Sequence, residues 1–331
     1  MKNYLFKRCV YMVFLLWLTT LVTFIVIQLP PGDYASTLLN RLEAAGHFVD
    51  AETRKQIQRE FGLDQPMHVR YIKWITNASK GNFGYSFDWK RPVADLIGQR
   101  LALTITISLC TLIITYLIAV PIGIYSATHQ YSFADYMFTT WGFLGLAIPN
   151  FMLALALLFF GLKYLGVNLS GLFSREFLDA PWSAAKLLDL LKHLPIPVLV
   201  VATGGSAGLI RVLRGTLLDE LEKQYVITAR SKGLSEITLL FRYPVRICLN
   251  PIVSSLAWLF PHLISGGTIT AIVLGLPTAG PLMLRALLTQ DTYLASSILL
   301  FLTTLTLLGT MISDILLVVV DPRIRMERST S

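Results

Sequence analysis

Long apolar runs alternate with polar stretches along most of the chain. The first run, from Cys9 to Leu29, contains no charged residue. At about 1.5 Å of rise per residue, about 20 such residues in a helix cross the roughly 30 Å hydrocarbon core of a membrane. We therefore expect an all-α, multi-pass membrane protein with six membrane-spanning helices. The predicted spans are 9–29, 101–127, 136–165, 194–213, 251–276 and 294–320.

The first apolar run has a second interpretation, because Lys2, Lys7 and Arg8 precede it as in a signal peptide. The apolar region of a signal peptide is shorter, and small residues mark its cleavage site. The residues that follow here are Gln28-Leu29-Pro30-Pro31. We therefore expect a retained first helix.

The polar stretches divide the chain into segments. The longest, 30–100, is expected to form a large periplasmic loop after the first helix. Aromatic residues in it fit either anchoring at the membrane interface, which we favour, or contact with a delivering protein. The predicted division is a tail and first helix (1–29), this external loop (30–100), a helical core (101–320) with a cytoplasmic loop (219–250), and a cytoplasmic tail (321–331).

The loop at 219–250 has the pattern of two short helices joined by a glycine. Good helix formers occupy 217–232, and Gly233 stands where a left-handed residue ends a helix without a Cβ penalty. Ser235 is placed to cap a second helix, and Glu236 would lie in its first turn. Pro244 should break or kink that second helix. The loop is either a plain connection between spans or a docking surface for a partner.

Composition and charge support a membrane protein. Of the 331 residues, 54% are hydrophobic and only 15% are charged, which is too apolar for a soluble domain of this size. Basic residues concentrate in the N-terminal segment, the 219–250 loop and the C-terminal tail, so we expect both termini in the cytoplasm. The net charge of +8 indicates lipid headgroups rather than nucleic acid, because the basic residues are divided among several loops.

Motifs for chemistry are absent from the sequence. There is no G-x-x-x-x-G-K-[ST] loop for nucleotide phosphates and no G-x-S-x-G nucleophile. Cys9, Cys110, Cys248 and the five histidines show no spacing typical of a disulfide framework or a metal site. We predict no catalytic residue, no metal and no cofactor in this chain. Asp314 lies within the sixth predicted span, where a hydrogen bond to a neighbouring helix is favoured over a functional role.

The stretch RVLRGTLLDELEKQYVITARSKGLSE resembles the cytoplasmic loop in permease subunits of bacterial ABC importers, of the dipeptide, oligopeptide and nickel family and its first-permease branch. The family has an alanine four residues before a glycine, here Ala229 and Gly233. RCVYMVFLLWLTTLVTFIVIQLPPGD, FGLDQPMHVRYIKWI and GFLGLAIPNFMLALALLFF are similar to other family segments, in the family's order. Among the departures from the family pattern, Tyr243-Pro244 replaces a His-Ala pair and Arg246-Ile247 an Arg-Asn pair, and Ile227 stands where other members of the superfamily have a glutamate that this branch often lacks.

The resemblance implies the transmembrane fold of type I ABC importers and a pore subunit in the bacterial inner membrane. It would move di- or oligopeptides, or a related solute, from a periplasmic substrate-binding protein. The implied partners are a second homologous permease and two ATPase subunits, which would bind ATP and Mg. The residues implied to dock the ATPase are Tyr225, Ala229, Arg230, Lys232, Gly233, Leu234, Ser235 and Glu236. Residues expected along the translocation path are Gly204, Gly205, Ser206, Ser265, Gly266 and Gly267.

Small residues also have a second interpretation, because they permit close packing of helices in a membrane. Packing is favoured for Gly142 and Gly145, and both roles are open for the 204–208 patch. Two other function classes were weighed. A secondary transporter or channel not coupled to ATP would need intramembrane charges, a selectivity ring or an internal repeat. An intramembrane enzyme would need paired carboxylates or a nucleophile with a base. The predicted spans offer one clear carboxylate, Asp314, and the sequence shows no selectivity ring, internal repeat, carboxylate pair or nucleophile with a base.

Overall fold

The computed structural model describes residues 2–45, 52, 55, 59, 62–178, 180–265 and 267–320. In these residues nearly all regular structure is α-helix, which confirms the predicted all-α fold. The β-structure among them is one short antiparallel pair, β1 (Tyr85–Ser86) and β2 (Arg91–Pro92). The predicted tail at 321–331 lies outside the described residues.

Helices account for most of the described residues. In order they are α1 (Lys2–Ile27), α2 (Tyr34–Ala44), α3 (Met67–Ala78), α4 (Val93–Thr128), α5 (Phe133–Ala147), α6 (Asn150–Phe160), α7 (Ala184–His193), α8 (Pro195–Leu221), α9 (Gln224–Ser231), α10 (Glu236–Arg242), α11 (Pro244–Ser265), α12 (Thr268–Val273), α13 (Ala279–Leu288) and α14 (Thr292–Val320). A π-helical segment, Gly161–Leu165, continues α6, and Arg175–Phe177 forms a 3₁₀ turn.

Four helices in the described part of the chain are long and apolar enough to cross a membrane: Lys7–Ile27 of α1, α4, α8 and Thr292–Val319 of α14. The pair α5 and α6 qualifies as a fifth span if its two helices are counted together. The remaining predicted span, 251–276, falls on α11 and α12, and Gly266 between them lies outside the described residues. The count of six spans therefore stays a prediction.

Two spans differ in detail from the expected helices. Helix α4 begins at Val93, inside the segment predicted to be an external loop, and runs through Pro121 without a break. The apolar run at 136–165 is bent by 100° between α5 and α6. Ile148 is extended there (φ −90°, ψ 117°), because the residue before a proline is disfavoured in the helical region. Pro149 then precedes α6.

The chain forms two compact units. The first comprises the described residues up to Thr104 together with Pro277–Leu307. Its core contains Phe24 of α1, packed on the rings of Tyr71 and Trp74 of α3. These two aromatic side chains are buried, and the Trp74 indole N–H donates to Ser297 Oγ at 3.4 Å. The expectation of interfacial anchoring is therefore wrong for them, since they pack inside the protein.

A buried carboxylate, Asp291, organises another part of this unit. Asp291 precedes α14 and accepts hydrogen bonds from Ser86 Oγ at 2.5 Å, from the Leu294 N–H at 3.2 Å and from the Asp88 N–H at 3.3 Å. Its burial raises the pKa of the carboxyl above its ordinary value. These bonds fix the β1–β2 pair against the N-terminus of α14.

The second unit comprises the described residues of Ile105–Leu276 and those from Leu308 onward. Helix α8 is its centre, with α5, α6, α7 and α11 packed against it. A Cβ atom on Gly145 would meet Thr203 Cγ2 at 2.9 Å, so only glycine permits this approach of α5 to α8. The prediction of a packing role for Gly145 is confirmed.

An ion pair joins the same two helices near the start of α5. Arg214 of α8 donates from Nε to Asp135 Oδ1 at 3.0 Å and from Nη2 to Asp135 Oδ2 at 2.9 Å. The Tyr131 N–H also donates to Asp135 Oδ2 at 3.0 Å. The Asp135 side chain is only 3% exposed, and a two-point Arg–carboxylate contact of this kind fixes geometry as well as charge.

Candidate docking hairpin

Residues 224–242, called the hairpin below, comprise α9, a tight turn and α10. Gly233 ends α9 in the left-handed conformation with φ +82°. Its N–H donates to the Arg230 carbonyl at 3.0 Å, and the Leu234 N–H donates to the Ala229 carbonyl at 3.4 Å. These bonds satisfy carbonyl groups at the helix end that have no partner within the helix. The predicted glycine cap at Gly233 is confirmed.

The start of α10 follows the sequence pattern with one difference. Ser235 has the extended backbone of a capping residue, and Glu236 lies in the first turn, as predicted. The Ser235 hydroxyl, however, donates to Thr238 Oγ1 at 2.8 Å and accepts no hydrogen bond from a backbone N–H of the first turn. The helix thus begins at the predicted residue without the predicted side-chain cap.

An ion pair closes the hairpin across the turn. Arg230 donates from Nε to Glu236 Oε1 at 2.6 Å and from Nη2 to Glu236 Oε2 at 3.0 Å. The contact lowers the pKa of the Glu236 carboxyl and raises that of the Arg230 guanidinium. Both side chains are more than half exposed, so solvent screens the pair and it contributes little to stability.

The inner face of the hairpin is apolar and packed. Val226, Ala229 and Leu239 are buried together, and Tyr225 lies against them. The Tyr225 hydroxyl donates to Glu220 Oε2 of α8 at 2.5 Å. Burial, together with this bond, raises the pKa of the Tyr225 hydroxyl. These contacts fix α9 to the end of α8.

The hairpin is continuous with α11 on its other side. Helix α10 ends at Arg242, and Pro244 is the first residue of α11. Proline is well tolerated at the first helical position, because the N–H that it lacks would have no partner there. The predicted break at Pro244 is confirmed. Beyond it, Val245 and Cys248 pack with Leu213 and Leu217 of α8 in one buried cluster.

The outer face of the hairpin is exposed and of mixed chemistry. Arg230, Lys232, Gly233, Ser235 and Glu236 are exposed, Tyr225 and Leu234 are half-buried, and Ala229 is buried. The structure thus brings the predicted docking residues together on one hairpin. Five of the eight are exposed, whereas Tyr225, Ala229 and Leu234 belong to the inner cluster.

Sequence reasoning missed two residues of this outer face. Ile237 is 75% exposed and Phe241 57% exposed, although both are large and apolar. They lie four residues apart on α10 and therefore on one side of that helix. The spacing of these two apolar residues, in a stretch otherwise predicted to be polar, was the sequence signal that could have indicated an exposed apolar surface.

The residues predicted to line the translocation path are less clearly grouped than the predicted docking residues. A Cβ atom on Gly204 would lie 3.2 Å from Asn150 Oδ1, so this glycine packs against the start of α6. Ser206 is buried, and Gly205 and Gly267 are half-buried. Ser265 is the last residue of α11, and Gly266 lies outside the described residues. The assignment of this set to a path stays a prediction.

The described residues contain no group of three or more His, Cys, Asp or Glu side chains that is able to hold a metal ion. The hairpin thus combines a packed inner face, an exposed outer face and a turn held by its own hydrogen bonds.

Comparison with known proteins identifies similar sequences over the whole chain. Residues 119–326 match the family described as "Binding-protein-dependent transport system inner membrane component". Residues 1–109 match "Binding-prot-dependent transport system membrane comp, N-term".

Two individual proteins are similar to this chain over nearly its whole length. The "Oligopeptide transport system permease protein AppB" of Bacillus subtilis (strain 168) is 32% identical over 325 residues, covering 98% of this chain and 99% of that protein. The "Inner membrane ABC transporter permease protein YejB" of Escherichia coli O157:H7 is 29% identical over 363 residues, covering 99% of this chain and all of that protein.

A solved structure is similar in fold. It is described as "Inward facing conformations of the MetNI methionine ABC transporter: CY5 native crystal form". One of its chains matches with a TM-score of 0.52 at 13% identity, covering 68% of this chain and 96% of that one.

Proposed function

Because the chain belongs to the family of inner membrane components of binding-protein-dependent transport systems, with the type I ABC importer fold, we propose that it is the translocation subunit of an ATP-driven importer. Its cargo would be di- or oligopeptides or a related solute. The proposal for cargo is supported by the peptide permeases among its relatives.

The observation that carries the coupling part of this proposal is the two-sided construction of the hairpin. Its inner face is packed, Tyr225 is bonded to α8, and α11 continues directly from α10. Its outer face exposes Ile237 and Phe241 among charged side chains. A partner that displaces the hairpin therefore displaces the ends of two long helices with it.

The partner is proposed to be an ATPase subunit, two of which would bind ATP and Mg outside this chain. A second homologous permease would complete the path, and a periplasmic substrate-binding protein would deliver the solute. We propose that both termini and the hairpin are cytoplasmic. Alternating access then requires that nucleotide state shifts the balance between two conformations, since a ligand with equal affinity for both shifts nothing.

The coupling is tested with Gly233→Pro in the complete transporter, reconstituted in liposomes. Proline fixes φ near −65°, whereas Gly233 has φ +82°, and proline also removes the N–H that bonds to Arg230. We expect ATP-driven uptake to be lost while membrane insertion is retained. Normal uptake by this variant would show that the hairpin does not couple ATP hydrolysis to transport.

A second experiment tests the alternative that the protein is a transporter not coupled to ATP. The permease subunits are reconstituted without their ATPase partners and given an ion gradient. We expect no accumulation of solute under any gradient. Accumulation would favour a secondary transporter and contradict the proposal.

A further inference from the structure

Helices α5 and α8 leave a cavity of about 300 Å³ on their shared surface. Small residues create it: a Cβ atom on Gly215 would meet nothing within 4 Å, and one on Gly142 would lie 4.0 Å from Ala207. The volume is at the lower end of the range for small-molecule sites, about 300–1,000 Å³. Its apolar lining includes Phe138, Gly142, Leu146, Ala207, Ile210 and Gly215.

Two arginines of α8 complete the lining at one end of the cavity. Arg214 is neutralised by its ion pair with Asp135. Arg211 is exposed and makes no ion pair with any residue that the structure describes. The cavity therefore combines an apolar wall with one uncompensated positive charge.

The cavity lining extends over about 12 Å of α5, from Phe138 to Leu146, which is comparable to the hydrocarbon thickness of one lipid leaflet. Helix α5 begins at Phe133, so Phe138 and Leu146 lie about 8 and about 20 Å along its axis. Half of a bilayer's hydrocarbon core is about 15 Å thick. With α5 starting in the headgroup region, as the span predicted at 136–165 requires, the apolar lining would face acyl chains and the arginines would lie near the headgroups.

We propose that this cavity binds one anionic phospholipid, with its phosphate on the Arg211 guanidinium and an acyl chain along the apolar wall between α5 and α8. Charge complementarity selects an anionic headgroup, and the apolar lining selects a lipid over free phosphate. The inference goes beyond the proposed transport function and requires only that α5 and α8 lie in the membrane. A bound lipid would fill the space beside α8, the helix that carries the hairpin.

The test uses the full chain, purified in detergent with equal amounts of phosphatidylglycerol and phosphatidylcholine and examined by native mass spectrometry. We expect one retained phosphatidylglycerol per chain. Arg211→Gln should reduce its retention about fivefold, the factor for one basic residue at an anionic lipid surface. Arg246→Gln removes the same charge from an exposed position on α11 and should leave retention unchanged.

A second variant fills the cavity without changing its charge. Gly215 lines the cavity and a Cβ there meets nothing within 4 Å, so the leucine of Gly215→Leu can occupy it without a clash, and we expect loss of the retained lipid with an unchanged thermal midpoint. Equal retention of both lipids, unchanged retention in Arg211→Gln, or displacement of the lipid by soluble glycerol phosphate would each overturn the proposal. So would a disulfide between Gly215→Cys and a neighbouring permease in the assembled transporter, because the cavity would then be covered by protein.

Discussion

The contact between helices α5 and α8, called the seam below, can be compared with the hairpin formed by α9 and α10. Both use the same residue types, but for opposite purposes. Each region contains an arginine that makes two hydrogen bonds to one carboxylate. Each also contains a glycine that another residue would replace only at a cost in stability. In the seam, the Asp135 side chain of the pair is 3% exposed, and Gly145 is required because a Cβ would collide with Thr203. In the hairpin, the Arg230–Glu236 pair is exposed, and Gly233 is required only by its positive φ.

This contrast separates a region that holds the molecule together from one that presents a surface. In the seam the Asp135 carboxylate is almost fully buried and paired with Arg214, so breaking this contact costs stability. The hairpin keeps charges and two large apolar side chains in solvent, so most of its outer contacts remain for a partner. The four comparisons that follow test the distinction, in order of the expected change in the free energy of unfolding.

The largest difference in the free energy of unfolding is expected between variants of the two ion pairs. Asp135→Asn leaves Arg214 without a counter-charge beside a buried amide, and we expect a loss of about 3 kcal/mol. Glu236→Gln removes the exposed carboxylate and should leave the unfolding midpoint unchanged. Denaturant unfolding of the purified chain in detergent measures both. Equal effects would show that the seam pair is no more structural than the hairpin pair.

Close packing at the seam is tested with Gly145→Ala. The new Cβ would lie 2.9 Å from Thr203 Cγ2, and Thr203 cannot easily rotate because its hydroxyl donates to the Leu199 carbonyl. We expect a cost of about 1–3 kcal/mol from overpacking. Gly208→Ala is the control on α8, since a Cβ there meets nothing within 4 Å and alanine favours helix. A tolerated Gly145→Ala would contradict the close approach of α5 and α8.

At the hairpin, Gly233→Ala should cost about 1–2 kcal/mol, the strain of a left-handed alanine, although the space around it is open. Gly233→Asn should cost less, because asparagine tolerates this conformation. Hydrogen exchange of the α9 and α10 amides measures the local effect. If the two variants exchange alike, φ at Gly233 does not control the turn.

The smallest change in stability is expected for the double variant Ile237→Ser, Phe241→Ser. Both side chains are exposed, so the free energy of unfolding should stay within about 0.5 kcal/mol. ATP-driven uptake by the assembled transporter should nevertheless fall, because the partner loses its apolar contacts. Leu239→Ala, which empties a fully buried position on the same helix, should cost about 2–5 kcal/mol. Unchanged uptake in the double variant would remove these two residues from the docking surface.

Local sequence signals predicted much of the hairpin. The glycine cap at Gly233, the first-turn position of Glu236 and the break at Pro244 depend on the backbone preferences of single residues. The same holds for the long helices, since an apolar run of about 20 residues has few alternatives to crossing the membrane.

Features that depend on distant parts of the chain were not predicted. Asp135 and Arg214 are 79 positions apart, and the sequence does not indicate that they meet. The burial of Trp74 depends on Phe24 and Ser297, which come from other helices of its unit. The 100° bend before Pro149 was also missed, because apolar composition predicts a span but not its shape.

The most direct test of the docking assignment is a photo-crosslinking residue at position 237 in the assembled transporter. Leu188 of α7, also a large apolar residue that is more than half exposed, is the matched control position. The account predicts that the probe at 237 forms a covalent product with a nucleotide-hydrolysing subunit and that the probe at 188 does not. A probe at 237 that reaches no such subunit, while the transporter is intact and active, would contradict it.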